Sequence, residues 1–401
     1  MEAVNAYAGR PTGAAAAPGR DAAEQAPAAY DRPMIDRSSR VRTVPARLAI
    51  RAALALRRRL LALADAAVPP QLVLFEQGMG LARTQLLHVA ARLGLADRLE
   101  AGPRTAEALA REAGADPDAL FRALRALAAG GVFELRTDGR FENNRASRAL
   151  RAEAPGSMRP LLEYLGSAPH VAAWADAGRT IRSGKNAFER VHGMSVWDWF
   201  AHYPDDERTF AEAMGRLAEL DAPAIAAGYP FGGLRRICDV AGGRGALLAE
   251  ILRRHPRARG VLFDAPQVMA EAPAMLARRG VAERVTCVGG SFFEAVPEGC
   301  DVYLLRDVLH DWDDAACLRI LAACRRAAPI GARVLVAEIL VERDRAESPA
   351  ALADVQMMVT CQEGRQRSAA EHQALLARAG FRPGRVLELA GPASLVEGIA
   401  E

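Results

Sequence analysis

Residues 301–314 combine an apolar run with a dense cluster of ionisable side chains, in the order DVYLLRDVLHDWDD. The run predicts a buried strand over residues 301–309, and the residues from Asp313 predict the start of a helix. Ligands of doubly wound sheets bind at the carboxyl ends of the strands, so His310 is expected at the mouth of a crevice. This crevice would then contain a side chain whose charge changes near neutral pH.

A glycine-rich turn at CDVAGGRGALLAEIL supplies a second set of candidate residues. Such a turn lets a ligand approach the backbone closely and presents free N–H groups at the start of a helix. Asp239, Ala241, Gly243 and Gly245 lie at alternate positions, which differs from the GxGxxG spacing of dinucleotide-binding proteins. An acidic residue at a strand end, followed by small residues at this spacing, is typical of enzymes that use S-adenosylmethionine (SAM).

Two further strand ends add candidate contacts to a nucleoside. Asp264 closes the next predicted strand, 19 residues after Gly245, where a carboxylate accepts hydrogen bonds from ribose hydroxyls. The alternative for Asp264 is a helix N-cap, and the glycine turn upstream favours the ribose. Ser291 and Phe292 follow the third strand and are expected to reach adenine, one by hydrogen bonding and the other by packing.

The elements that position these residues begin after Phe231, where strand-like and helix-like segments alternate. Alternation of this kind predicts an α/β domain with a mostly parallel, Rossmann-like sheet over residues 231–401. The last two strands are close enough in sequence to pair as an antiparallel edge. The predicted strands are residues 236–240, 260–264, 285–289, 301–309, 333–341, 385–389 and 394–399.

Residues 70–230 are predicted to be helical, and residues 104–143 within them have the order of a winged helix-turn-helix with a strand turn at Asp138 and Gly139. DNA binding would require a polar recognition helix, but the second helix, DALFRALRALAAGG, is mostly apolar. A protein-packing role is therefore favoured, and no nucleic-acid partner is expected. An aromatic cluster at residues 197–203 fits either a core or the wall of a pocket for a flat, apolar substrate.

Residues 1–69 begin with Ala, Gly, Pro and Arg in no periodic order, which predicts a disordered arm. The segment RLAIRAALALRRRLLALADAA then predicts a basic amphipathic helix. Such a helix can lie on a membrane surface, act in targeting, or pack on its own subunit or a partner. Packing on protein is the favoured alternative.

Composition limits the remaining function classes. The 401 residues are 51% hydrophobic with a formal charge of +3, and Lys185 is the only lysine, so the sequence shows no bias towards nucleic acid. Its six cysteines include no CxxC pair, which predicts reduced thiols in a cytoplasmic protein and no metal site. No apolar run approaches the roughly 20 residues of a membrane span.

The order of motifs closely resembles the plant-type small-molecule O-methyltransferases, which include bacterial enzymes that tailor natural products. The resemblance extends from about Gln71 to the end of the chain. It implies a class I methyltransferase sheet with an N-terminal winged-helix dimerisation domain, SAM as cofactor, a homodimer and an aromatic or polyketide-like acceptor. The motifs are DVAGGRG, LFDAPQV, RVTCVGGSFFEAVP, LLRDVLHDWDD, VLVAEILV, GRQRS, LLARAGF and SLVEG.

The same resemblance implies roles for the catalytic residues. His310, in the HDW motif, is the general base that takes the proton of the acceptor hydroxyl. Glu338, 28 residues on, orients the imidazole by a hydrogen bond to its second nitrogen. Gln366 occupies the position of the family's second glutamate and contributes no charge. Asp311 contacts the substrate or caps the turn that follows.

Other positions are implied to bind the two ligands. Arg306 stands where the family frequently has a lysine near the cofactor, and Ser291 stands where it often has an aspartate. Met214 and Met357 match methionines that sandwich a planar acceptor ring, with a plain core role as the alternative. Relatives that keep the fold but catalyse hydroxylation, decarboxylation or a pericyclic reaction leave divergent chemistry open, as well as N-methylation.

Overall fold

A run of helices forms the first part of the chain, in a computed structural model that describes residues 44–342 and 350–401. The predicted basic helix is present as α1, whereas the arm predicted before it falls on residues 1–43, outside the described residues. The helices are α1 (Val44–Ala66), α2 (Pro70–Gly78), α3 (Gly80–Arg92), α4 (Leu95–Arg98), α5 (Ala106–Ala113), α6 (Pro117–Ala129), α7 (Arg159–Leu165), α8 (Ala168–Ala175), α9 (Ala177–Ser183), α10 (Ala187–His192), α11 (Val196–His202) and α12 (Pro204–Gly228). A 3₁₀ turn lies at Ser147–Leu150.

The winged helix-turn-helix is present within this region. Thr105 and Asp116 cap α5 and α6, and their side chains accept hydrogen bonds from backbone N–H groups in the first turn of each helix. Strands β1 (Glu134–Leu135) and β2 (Phe141–Glu142) then pair antiparallel. The second helix, α6, buries Leu120, Leu124 and Leu127 in the core of its own domain, so its apolar face is already covered.

A seven-stranded sheet forms the second part, as the alternating pattern predicted. Its strands are β3 (Arg236–Val240), β4 (Arg259–Asp264), β5 (Val285–Gly289), β6 (Val302–Arg306), β7 (Arg333–Glu338), β8 (Phe381–Glu388) and β9 (Ser394–Ala400). The spatial order is β5-β4-β3-β6-β7-β9-β8. The pairs within β5-β4-β3-β6-β7 are parallel, and β9 lies antiparallel between β7 and β8.

Helices cover both faces of the sheet. They are α13 (Ala246–Arg254), α14 (Pro266–Arg278), α15 (Asp314–Ala327), α16 (Ala350–Thr360) and α17 (Ala369–Arg378), with 3₁₀ turns at Ala282–Arg284 and Leu309–Asp311. In β6, Tyr303 and Leu305 enter one core and Val302 and Leu304 enter the other. Burial on both faces explains why β6 is a continuous apolar run rather than an alternating one.

The strand predicted to run to Leu309 is shorter than expected. Strand β6 ends at Arg306, because Asp307 adopts a positive φ of 51° and its N–H donates to the carbonyl of Ala337. Val308 and Leu309 are buried, but they belong to the connection and the 3₁₀ turn rather than to the sheet. The predicted helix does begin at this point, with Asp313 as the N-cap of α15.

Helix α12 connects the two parts of the molecule. It packs against α7 in the helical part and against α13 beside the sheet, and near its end Ala222, Ile225 and Ala226 enter the core under the sheet. Within the described part of the chain, no helix is long and apolar enough to cross a membrane.

Candidate active site

A cavity of about 1290 Å³ lies where the carboxyl ends of the parallel strands meet helices α7, α11, α12 and α16. The turns after β3, β4 and β6 supply one wall, including Ala241, Asp264 and Arg306. The helices supply the opposite wall. Strand β6 delivers His310 to this cavity through the short 3₁₀ turn, at the carboxyl ends of the strands.

The glycine turn after β3 packs tightly on its own strand. A Cβ at Gly242 would lie 2.6 Å from Cγ of Asp239 and from Cδ1 of Leu262, so only glycine fits without movement. The next residue, Gly243, lines the cavity and donates its N–H to Oδ2 of Asp264 at 2.8 Å. The other oxygen of Asp264 accepts from the N–H of Ala265. Asp264 is thus tied to the turn, and α14 has no side-chain cap.

The eight residues predicted to bind a cofactor divide into two groups. Ala241, Gly243, Asp264, Phe292 and Arg306 line the cavity. Asp239, Gly245 and Ser291 do not line it.

Each of these three supports a neighbouring turn. Asp239 is buried beneath Gly242, where burial raises the pKa of its carboxyl to about 7. Gly245 is the N-cap of α13 and donates its N–H to the carbonyl of Gly242, while Oγ of Ser291 accepts from the N–H of Phe293.

His310 lies between an amide and a carboxyl group. Its Nδ1 is 3.4 Å from Nε2 of Gln366, and its Nε2 is 3.5 Å from Oδ1 of Asp311. Burial lowers the pKa of the imidazole, but nearby carboxylates, chiefly Asp311 and Glu338, outweigh burial and raise it above the usual value. Burial also raises the pKa of Asp311 to about 6, although His310 and the Cys361 thiol oppose this.

Glu338 does not contact the imidazole, and the predicted hydrogen bond to the ring is wrong. Its Oε1 accepts from the backbone N–H groups of Leu309 (2.7 Å) and His310 (3.1 Å) instead. The 3₁₀ turn after Asp307 directs these two N–H groups towards the end of β7, where the fully buried carboxylate meets them. Glu338 therefore holds the backbone that carries His310, and Gln366 contacts the ring.

Arg367 holds the same turn through its carbonyl groups, a contact that the sequence did not predict. Its guanidinium is fully buried and donates to the carbonyls of Leu309 and Trp312, each at 2.8 Å, and to Oδ1 of Asp314. Because Glu338 binds the N–H groups and Arg367 binds the carbonyls, residues 309–312 are fixed from two sides. We call these four residues the catalytic turn.

The helical wall is largely apolar and aromatic. Met214 of α12 and Met357 of α16 line the cavity. Trp197 stacks on Trp312, with ring centroids 5.9 Å apart and planes inclined by 17°. The aromatic cluster left open between core and pocket therefore contributes to both.

Several residues of this wall were not predicted. Tyr164, Gln356, Thr360 and Cys361 line the cavity, and the Cys361 thiol donates to Oδ1 of Asp311 at 3.4 Å. Gln356 and Thr360 are four residues apart on α16 and hydrogen-bond each other, a spacing that puts two residues on one helix face. This spacing of four residues is the one feature of the sequence that could have predicted that Gln356 and Thr360 lie side by side.

Arg306 joins the two walls of the cavity. Its guanidinium donates to Oδ2 of Asp221 on α12 at 3.0 Å and lies 2.9 Å from Oδ2 of Asp307. Burial raises the pKa of Asp221, although the adjacent guanidinium opposes this. The ion pair links the end of β6 to the helix that carries Met214.

Comparison with protein families gives two matches. Residues 174–382 match an O-methyltransferase domain, and residues 76–153 match an O-methyltransferase dimerisation domain.

Individual relatives are similar along most of the chain. A phenazine O-methyltransferase, PhzM, of Lysobacter antibioticus is 38% identical over 331 residues, covering 82% of this chain and 96% of the relative. The mitomycin biosynthesis 6-O-methyltransferase of Streptomyces lavendulae is 37% identical, covering 79% and 90%. A phenazine-1-carboxylate N-methyltransferase of Pseudomonas aeruginosa is 35% identical, covering 77% and 90%.

Solved structures agree with the fold. The crystal structure of LaPhzM superposes with a TM-score of 0.81 at 37% identity, covering 83% of this chain and 100% of that one. An O-methyltransferase from neocarzinostatin biosynthesis, in complex with SAM and 2-hydroxy-5-methyl naphthoic acid, superposes with a TM-score of 0.68 at 32% identity, covering 79% and 96%. The expected class I methyltransferase fold with an N-terminal dimerisation domain is confirmed.

Proposed function

Because the chain belongs to the SAM-dependent O-methyltransferase family, we propose that it methylates a hydroxyl group of an aromatic or polyketide-like small molecule, with His310 as the general base. The main support for this proposal is the position of His310, which faces the cavity from a fixed turn and lies between Gln366 and Asp311. The enzyme class and the cofactor follow from the family, whereas the base and the acceptor class are proposals.

The wall formed by the strand ends fits SAM. The turn at Gly242 packs against its strand on one side, and Gly243 lines the cavity on the other. Asp264 would accept hydrogen bonds from the ribose, and Phe292 would pack against adenine. When bound, SAM supplies a methyl group activated by its sulfonium.

Proton transfer is then the main chemical task of the protein. A phenol has a pKa near ~10 and stays protonated at neutral pH, so its oxygen needs a base within hydrogen-bond reach. Nε2 of His310 would take the hydroxyl proton during methyl transfer, in which a new oxygen–carbon bond replaces the carbon–sulfur bond of the donor and leaves a neutral thioether. Asp311, beside Nε2, stabilises the imidazolium that results, and solvent removes the proton afterwards.

Gln366 selects the tautomer that this role needs. A base at Nε2 requires the ring proton on Nδ1, and an N–H at Nδ1 requires an acceptor. Oε1 of Gln366 is buried and has no hydrogen-bond partner in residues 44–342 and 350–401. In the reactive state, we propose, the amide is turned so that Oε1 accepts from Nδ1, whereas the amide nitrogen at this position would stabilise the wrong tautomer.

The side chains of the helical wall support an aromatic acceptor. Methionine thioethers pack well against aromatic faces, and Met214 and Met357 both line this wall beside Trp197. The names of the similar enzymes refer to phenazines and mitomycin, and the neocarzinostatin enzyme was crystallised with a hydroxylated naphthoic acid. These acceptors are flat, which suits an aromatic wall.

N-methylation is the second candidate, favoured by the 35% identity to the phenazine-1-carboxylate N-methyltransferase. A neutral aromatic nitrogen attacks without prior loss of a proton, so this reaction needs no base. O-methylation therefore predicts a large loss of turnover when His310 is replaced, whereas N-methylation predicts little loss.

The test measures S-adenosylhomocysteine release from a panel of hydroxylated and aza-aromatic acceptors, with wild type and His310→Gln. We expect turnover only with hydroxylated acceptors and a loss of 10²- to 10⁴-fold in the variant, the usual contribution of a general base. The Kd of SAM, measured calorimetrically, should change less than threefold. Near-normal turnover in His310→Gln would reject the base, and selective methylation of ring nitrogen would favour the second candidate.

A further inference from the structure

A buried histidine outside the cavity, His372, faces the carboxylate that holds the catalytic turn. Its Nε2 lies 3.4 Å from Oε2 of Glu338, and both side chains are fully buried. In the described part of the chain, neither atom has a hydrogen-bond partner. His372 belongs to α17, whose first turn is fixed by a capping box between Ser368 and Glu371. The helix therefore presents the imidazole to Glu338 from a rigid element.

A carboxylate in this position needs a partner to stay charged. Burial favours the neutral form of a carboxyl group, and an adjacent N–H donor or positive charge favours the ionised form. Burial raises the pKa of Glu338, but His372, His310 and Arg367 together lower it to about 2. Among these three, His372 is the one that faces the unbonded oxygen. The titratable and charged groups around Glu338 are His372, His310, Arg367, Asp311 and Cys317.

We propose that His372 is a positioning residue that keeps Glu338 ionised and thereby controls the orientation and basicity of His310. This inference rests on the proposed function, since it presupposes that His310 is the base. An imidazole N–H at Nε2 of His372 donates to Oε2 of Glu338. The ionised Glu338 then accepts both N–H groups of the catalytic turn and supplies negative charge near the imidazole of His310.

The direction in which the pH–rate profile moves when His372 is replaced distinguishes an electrostatic role of His372 from simple packing. Without His372, Glu338 takes up a proton, because burial then dominates. The negative charge near His310 is lost, so the pKa of His310 falls and the base becomes weaker. The acid limb of the pH–rate profile should therefore move to lower pH while the plateau of kcat decreases. If Glu338 stays ionised without His372, the acid limb stays in place or moves to higher pH.

The test uses a double-mutant cycle between His372→Phe and Glu338→Gln in the full-length enzyme with SAM and a hydroxylated acceptor. Phenylalanine fills the volume of the imidazole without a donor, and His372→Gln restores an N–H donor. We expect roughly tenfold lower kcat in His372→Phe, partial recovery in His372→Gln, and KM for SAM within threefold of wild type. In the Glu338→Gln background, His372→Phe should change kcat less than twofold.

A second readout does not depend on turnover. Titration of isotope-labelled histidine by NMR, without an acceptor, should give a pKa of His310 that is about one unit lower in His372→Phe than in wild type. An equal fall in kcat in both backgrounds, or an unchanged His310 titration, would overturn the proposal. If His372→Phe does not fold, His372→Leu, which also lacks an N–H donor, takes its place in the same comparisons. Normal turnover of His310→Gln would reject the base itself, which is a separate outcome.

Discussion

The balance of charge around His310 sets how strong a base it is. Asp311 and Glu338 raise the pKa of the imidazole, while its contact at Nδ1 is the neutral amide of Gln366. An amide presents either a donor or an acceptor to the ring, whereas a carboxylate presents only acceptors. Gln366 thus leaves the tautomer of His310 less constrained than a glutamate would.

Restoring a carboxylate should strengthen the base. In Gln366→Glu, a negative charge beside Nδ1 adds to those of Asp311 and Glu338 and stabilises the imidazolium, so the pKa of His310 rises. A base must be neutral to accept a proton, and activity is lost as the pH falls through its pKa. We expect the acid limb of kcat to move about one unit to higher pH and the plateau to rise severalfold, as measured by S-adenosylhomocysteine release across a pH series.

The control for this change is Gln362→Glu, which adds the same charge to the same loop. Gln362 does not line the cavity, and its amide donates to Glu189. Its profile should match that of wild type. A profile of Gln366→Glu that moves to lower pH would show that the new carboxyl group is itself protonated.

Sequence motifs placed His310, Gln366 and Glu338 near one another, but they did not show what Glu338 binds. The target of that carboxylate depends on the path of the backbone after Asp307, whose positive φ turns the N–H groups of residues 309 and 310 towards β7. Aspartate adopts a positive φ more often than most residues, but a single aspartate after a strand does not identify this conformation. For the same reason, His372 could not be assigned a role before the fold was known.

At the level of elements, the catalytic turn depends on the segment that follows α16. That segment brings Gln366 to the ring and Arg367 beneath the turn. The segment also packs very closely against the catalytic turn, since a Cβ at Gly364 would lie 2.7 Å from the carbonyl oxygen of His310. Packing at this distance makes the turn and the segment one rigid unit.

Removing the guanidinium of Arg367 should destabilise this unit. Arg367→Met leaves two buried carbonyls without their donors, each worth about 1–3 kcal/mol, so the free energy of unfolding should fall by about 2–6 kcal/mol. Denaturant unfolding of the enzyme measures this value. Turnover should fall with it, because the catalytic turn loses its support on the carbonyl side.

Arg365→Met is the matched control. Arg365 lies two residues away and also contacts Asp314, but its side chain is 39% exposed. Exposed ion pairs contribute little, so the loss should stay below about 1 kcal/mol. Equal losses in the two variants would mean that the buried contacts to the turn do not matter.

Most elements of the sheet could be predicted, because parallel strands buried on both faces are apolar runs bounded by turn residues. Residues 236–240 and 285–289 were predicted with their observed bounds. Strand β6 was predicted too long because Val308 and Leu309 remain buried after the ladder has ended. Strand β7 was predicted too long because the apolar, half-buried residues 339–341 follow it. Hydrophobicity reports burial, and it does not distinguish a strand from a buried turn.

At the scale of the whole molecule, the first helices leave a broad apolar surface. Leu72, Leu74 and Phe75 of α2 and Leu81 of α3 are exposed, and α3 belongs to the matched dimerisation domain. Several large apolar side chains exposed on neighbouring helices are typical of a protein interface. The dimerisation domain supports a homodimer, and these side chains are the candidates for its contact surface.

Charge on this surface should separate the subunits. We expect wild type at micromolar concentration to have twice the chain mass of 42.9 kDa by size-exclusion light scattering, and Phe75→Asp with Leu81→Asp to shift towards one chain mass. Ile330→Asp is the control, since Ile330 is 87% exposed in the other domain. A monomeric wild type, or a control that dissociates equally, would contradict this assignment.

The two walls of the cavity come from different parts of the chain, which affects how enzymes of this family can evolve. Asp264 ends a strand and Phe292 follows another, while Leu161 and Phe210 belong to helices that come from a different part of the chain. If the strand ends hold the methyl donor and the helices hold the acceptor, as proposed, mutations in the helices would alter the choice of acceptor without disturbing the donor. Selection can therefore act on the two walls separately, and duplicated genes can diverge in acceptor while inheriting the donor chemistry intact.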